Sequence, residues 1–145
     1  MNKNFTFKEV PEGYHLCFNS ECDKHDDCIR YMAGQHLPSV VMGGPAVYPN
    51  AWKGGVCPYF KKTRIIHGAW GFRNLYKEVS QKDAHTLKEK VTHFLGGPVS
   101  TFQYQHGEKL LTPEQQEAIF QMFKELGYTK DLVFDGFTFV YDFTE

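Results

Sequence analysis

Cys17-Phe18-Asn19-Ser20-Glu21-Cys22-Asp23-Lys24-His25-Asp26-Asp27-Cys28 carries three of the chain's four cysteines, spaced C-x4-C-x5-C. The fourth opens Cys57-Pro58-Tyr59-Phe60, after a long passage rich in Gly and Pro. The early stretch is polar, and a cysteine buried as a small hydrophobe is out of place there. Four thiolates suit a tetrahedral Zn²⁺, whose structural sites are closed by four protein ligands. The cluster therefore reads as a zinc-type four-cysteine knot of Cys17, Cys22, Cys28 and Cys57. Its spacing departs from the C-x2-4-C pairs usual in such sites. His25 lies three residues from both Cys22 and Cys28, so a set of three cysteines and one histidine stays open. An iron–sulfur cluster is the rival, because three near cysteines and a remote Cys-Pro loosely match ferredoxin ligation. Free thiols or a disulfide complete the alternatives. Asp23, Asp26 and Asp27 read as helix-start and surface residues.

Working outward, residues 34–58 hold nine Gly or Pro and no charge before Lys53. A loop of that length is uncommon unless it is functional or tied down, and a ligand bond through Cys57 would tie it. Upstream, residues 1–16 read as irregular, with a turn at Pro11-Glu12-Gly13. Asp23 is placed to cap a helix over Lys24–Ala33, stopped by Gly34, with Ile29 and Met32 facing inward.

Downstream the periodicities change. Lys62–Ala69 reads as a strand around Arg64, Ile65 and Ile66. Ser80 starts a helix with Asp83 in the capping-box position. Leu87, Val91, Phe94 and Leu95 form its buried stripe, and Gly96-Gly97-Pro98 ends it. Val99–His106 alternates Phe102 and Tyr104 against Thr101, Gln103 and Gln105, a strand pattern. Thr112-Pro113-Glu114-Gln115 combines a capping residue, Pro at the first helical position and a box Gln. That helix would present Ile119, Met122, Phe123 and Leu126 and stop at Gly127. Phe137, Phe139, Tyr141 and Phe143 alternate with polar or smaller residues in a last strand with one aromatic face. The expected fold class is α+β: a small, mostly antiparallel sheet with two main helices packed on one face, after a Cys-rich irregular segment. One domain over 1–145 is expected, with residues 1–60 Cys-rich and 61–145 the α/β body.

The chain has 145 residues, 16% of them aromatic, and a net charge of −1. That balance hides a basic middle, with nine Lys/Arg against three Asp/Glu from Lys53 to Lys90, and an acidic end, with three against eight from Glu108 onward. Arg64, Arg73 and Lys77 stand among Trp70, Phe72 and Tyr76, a mixture that can contact phosphates and stack on bases. Near-neutral total charge disfavours a nucleic-acid partner without excluding it. No run approaches the ~18 apolar residues of a membrane span, and no secretory signal is evident, so the expectation is a cytoplasmic protein without a membrane partner. Thiols stay reduced there, which favours metal or redox chemistry over disulfides. No phosphate loop, dinucleotide fingerprint, nucleophile elbow or zinc-protease motif occurs, and no acid–base team stands out.

Cys28-Ile29-Arg30, the later Cys57-Pro58, and Gly107-Glu108-Lys109-Leu110-Leu111-Thr112-Pro113-Glu114-Gln115-Gln116 resemble an uncharacterised family of small proteins from gut anaerobes, catalogued as a domain of unknown function. The resemblance extends to Gly127-Tyr128 and Phe134-Asp135. It implies a bacterial, cytoplasmic origin and carries no activity, substrate or cofactor. The preferred reading is a non-enzymatic, metal-stabilised binding or regulatory module with a protein partner. An iron–sulfur or thiol redox protein and a nucleic-acid-binding accessory are the alternatives.

Overall fold

The computed structural model describes residues 4–52 and 55–144. The start of the expected irregular N-terminus, Lys53 and Gly54 of the long loop, and Glu145 of the acidic end lie outside the described residues. The chain forms two compact units, residues up to 65 together with those from 140 onward, and residues 66–139.

In the first unit, Pro11-Glu12-Gly13 makes the expected turn: Gly13 takes φ +80° and the Tyr14 N–H donates to the Pro11 carbonyl at 3.1 Å. The helix expected over Lys24–Ala33 is shorter and broken. His25–Asp27 form one 3-10 turn, Cys28 is extended, and helix α1 runs over Ile29–Gln35. Cys28 is pulled out of helical geometry because it forms an antiparallel bridge with Lys62. Gly34 lies inside α1 and does not stop it. Ile29 and Ala33 are fully buried, and with Tyr14 and Leu16 they make a small core. Phe5 and Tyr14 meet Phe143 ring to ring at 6.2 and 5.2 Å.

Asp142 closes this unit. It is 3% exposed; Arg64 donates to its Oδ2 through Nε at 3.1 Å and Nη2 at 2.7 Å, and Lys61 Nζ lies 4.0 Å away. Burial pushes the carboxyl pKa up, but hydrogen bonds from the Thr144 hydroxyl and N–H, with Arg64 and Lys61, outweigh it and hold it below 3.8. The stabilisation from this group is therefore complete above pH 3.8 and fades as the pH falls through the depressed native value. Asp142→Asn should lower stability by about 2 kcal/mol at neutral pH, and the two proteins should converge in acid. Urea unfolding from pH 7 to pH 2 checks this.

Strands β1 (Ile65–Trp70) and β2 (Gly136–Tyr141) pair in a two-stranded antiparallel sheet, and all of it but Ile65, Val140 and Tyr141 belongs to the second unit. Between them come α2 (Arg73–Tyr76), α3 (Gln81–Phe94), α4 (Pro98–Gln105) and α5 (Pro113–Glu125), giving the α+β class expected. Among the described residues no helix is long and apolar enough to cross a membrane.

The α5 start matches its sequence pattern: Thr112 Oγ1 accepts from the Gln115 N–H at 3.2 Å, and Gln115 Oε1 accepts from the Thr112 N–H at 2.9 Å. The α3 start matches by half. Ser80 Oγ accepts from the Asp83 N–H at 3.2 Å, but the Asp83 carboxylate takes the Tyr128 hydroxyl at 2.6 Å instead of the Ser80 N–H. Tyr128 in turn accepts that N–H at 3.2 Å.

Val99–His106 is not a strand. Pro98 occupies the first position of α4, and Gly97 before it takes φ +120°. Pro with fixed φ and no N–H starts a helix readily, and this outweighs an alternation of only a few residues. On the aromatic face of the last strand, Phe137 and Phe139 are 40% and 41% exposed and stack on the His67 ring of β1, each at 4.7 Å. Phe94 is likewise 41% exposed, while Leu87, Val91 and Leu95 of the same stripe are buried. Leu126, the C-cap of α5, is exposed; Ile119 and Phe123 join Phe72, Leu75, Leu111 and Phe134 in the core of this unit.

Candidate functional site

Each cysteine sits on backbone whose hydrogen bonds explain its position. Leu16 bridges Ala46 in parallel, with the Val47 N–H donating to the Leu16 carbonyl at 2.7 Å, which draws the Gly/Pro-rich loop beside Cys17. Cys17 itself donates to the Arg30 carbonyl at 3.0 Å, joining it to α1. Cys22 ends a turn from Asn19, and its carbonyl accepts from the His25 N–H at 3.2 Å. Residues 61–63 run antiparallel to 27–29, through Ile29 N–H to Lys61 O at 2.8 Å and Thr63 N–H to Asp27 O at 2.7 Å. That pairing carries the Cys57-Pro58-Tyr59-Phe60 turn, closed by Phe60 N–H to Cys57 O at 3.1 Å, toward Cys28.

All four cysteines line one cavity of about 20 Å³, which His25 also borders. One water molecule needs about 10–15 Å³ of such space, so the cavity takes a single small particle. All four thiols are free; Cys28 is buried and the others are half-buried. The Cys17 pKa is raised above 9.0, chiefly by burial and further by Cys28, Cys57 and Cys22, while the Asn19 N–H bonded to its sulfur lowers it. Among the described residues, no group of three or more His, Cys, Asp or Glu side chains stands in a metal-holding arrangement.

His25 borders the cavity with its ring nitrogens already engaged. Nδ1 lies 2.6 Å from the Cys22 carbonyl and Nε2 lies 3.1 Å from Asp26 Oδ1. Occupation of Nε2 would displace only the contact with the exposed Asp26 carboxylate and would leave the Nδ1 contact with the Cys22 carbonyl in place.

Arg30 lines the same cavity and is 5% exposed. Its Nε donates to the Tyr59 carbonyl at 2.8 Å and Nη1 to the His15 carbonyl at 3.1 Å. The guanidinium lies 4.4 Å from the Tyr14 ring centre and 5.6 Å from that of Tyr59. One side chain thus holds the segments before Cys17 and after Cys57 against α1. Gly34 acts by lacking a side chain: a Cβ there would collide with the Cys17 carbonyl oxygen and come within 3.2 Å of the Phe18 ring. Gly34→Ala should reduce stability by about 2 kcal/mol, measured by urea unfolding, because the helix must move off the cysteine segment.

A profile of a family of unknown function, DUF6078, matches residues 1–143. The chain belongs to DUF6078. No curated protein and no solved structure matches it. In this DUF6078 chain the cysteines are visible in the sequence, but Arg30, Gly34 and the Asn19 N–H are not. An Arg one turn into a helix has no sequence mark of burial, and Gly34 reads as a helix stop until Cys17 is seen against it.

Proposed function

We propose that this DUF6078 chain is a non-enzymatic binding or regulatory module whose Cys-rich unit is held in shape by one zinc-type ion on Cys17, Cys22, Cys28 and Cys57. The observation that supports the reading is the shared cavity: Cys17, Cys22, Cys28 and Cys57, from three separate stretches, all line one small space. That volume favours a single ion over an iron–sulfur cluster. Four protein ligands leave no open coordination position, the pattern of a structural site and not of a catalytic one. The ion would supply cross-linking, and Arg30 would offset part of the net negative charge of four thiolates around a dication. Thiols available for ligation imply a reducing compartment, in keeping with a cytoplasmic protein.

Cobalt substitution tests the reading. Metal-free protein titrated anaerobically with Co²⁺ should develop intense thiolate-to-cobalt absorption that saturates at one equivalent, and Cys57→Ser should weaken it. Absence of these bands, or a Cys57→Ser spectrum identical to the parent, contradicts the proposal. Brown protein with broad visible absorption before any metal is added would replace it with the cluster reading.

A further inference from the structure

Arg73 and Lys77 are four residues apart, so the short turn of α2 and its C-cap present both cations on one side. Lys88, from α3, and Phe102, from α4, border the same groove, a space of about 570 Å³. This is within the range of small-molecule sites. No Asp or Glu lines it. Tyr76 adds no negative charge, because burial pushes its pKa up to about 12. Asp135, which approaches the turn, uses its carboxylate on the backbone N–H groups of Arg73 and Asn74, at 3.2 and 2.8 Å. Among the described residues none of Arg73, Lys77 and Lys88 makes an ion pair, and the Lys88 ammonium lies 5.4 Å from the centre of the Tyr76 ring.

The apolar side of the groove is unusual for its exposure. Helix α4 buries none of its residues, and Phe102 is 56% exposed, touching His106 at 4.1 Å between ring centres. Gln105 accepts from the Phe72 N–H through its oxygen at 2.9 Å, so its amide NH2 remains to donate. A cationic edge, an exposed aromatic face and an amide donor around one space match a ligand with a phosphate, a flat ring and polar ring edges. An anion alone leaves Phe102 unexplained, and an apolar ring alone leaves three cations without an anion.

We infer that this groove binds a nucleotide, with its phosphates on Arg73, Lys77 and Lys88 and its base stacked on Phe102. The nucleotide comes either free or as part of a single strand. The inference uses only residues 72–105 and does not depend on the metal reading.

Titration calorimetry on the full chain, with ATP, adenosine, inorganic tripolyphosphate and hexathymidylate as probes, tests it. ATP or hexathymidylate should bind saturably and at least tenfold more tightly than adenosine or tripolyphosphate. Tighter binding of ATP than of hexathymidylate identifies the free nucleotide as the source, and the reverse identifies the strand. Lys77→Glu should weaken binding about tenfold and Phe102→Ala roughly fivefold or more, since stacking a base on an aromatic ring contributes at that scale. Both side chains are exposed, so melting should be unchanged, and Lys90→Ala, outside the groove, should bind as the parent does. Failure of both nucleotide probes to bind overturns the inference. So does binding of adenosine or tripolyphosphate as tight as that of the better-bound nucleotide probe, no loss in Phe102→Ala, or an equal loss in Lys90→Ala.

Discussion

Chelation of the purified protein at neutral pH should lower the melting temperature of the Cys-rich unit by about 15 °C, and Cys28→Ser should do the same without chelator. The size follows from how little else holds this unit. Among the described residues its buried apolar side chains are Tyr14, Leu16, Cys28, Ile29 and Ala33, and its one α-helix has seven residues. A unit of this size draws only about 3–5 kcal/mol from its core, so a cross-link would weigh heavily in its stability. Its thiols are free, which leaves the cavity they share as the place for a cross-link. The second unit has its own core around Phe123 and Phe134, so amides of α3 and α5 should keep their protection from exchange after chelation. Equal loss of protection in both units would show that the ion is not a local staple. Unchanged melting on chelation and in Cys28→Ser would show that the cysteines bind nothing of structural weight.

Arg30→Ala should destabilise the same unit by about 3 kcal/mol, more than any other single substitution outside the cysteines in that unit. Truncation removes the donors to the His15 and Tyr59 carbonyls and the ring contacts to Tyr14 and Tyr59. It also leaves a cavity where a buried side chain stood. A second effect separates the electrostatic role from the packing role. If the guanidinium offsets thiolate charge, Arg30→Met, which keeps much of the volume, should still weaken Co²⁺ affinity about tenfold or more. Competition against a calibrated chelator measures it. Parent-like Co²⁺ affinity in Arg30→Met would assign Arg30 to packing alone.

Local signals with a strong steric basis are legible in the sequence. The Thr112-Pro113-Gln115 start of α5 and the Leu87, Val91, Leu95 stripe of α3 stand where their patterns place them, because caps and helical periodicity act over a few residues. The departures share a cause. Pro98 after Gly96-Gly97 reads as the end of α3, although the rule that locates α5 at Pro113 applies equally to Pro98 and starts α4. In β2 the expected alternation is present, and the structure adds that Phe137 and Phe139 stack on His67, because period alone does not say what covers a face. Cys28 cannot be read as extended from its neighbours, because its geometry comes from Lys62, far along the chain. The candidate site is legible as a set of cysteines. Its supports, Arg30 and Gly34, arise from contacts between distant segments that leave no local pattern.

The most direct measurement is the metal content of protein purified anaerobically without added metal, determined by elemental mass spectrometry alongside Cys57→Ser. About one zinc per parent chain, with little or none in the variant, is the predicted result. A parent chain free of zinc, iron and every other transition metal, and as stable as the variant, would contradict the account.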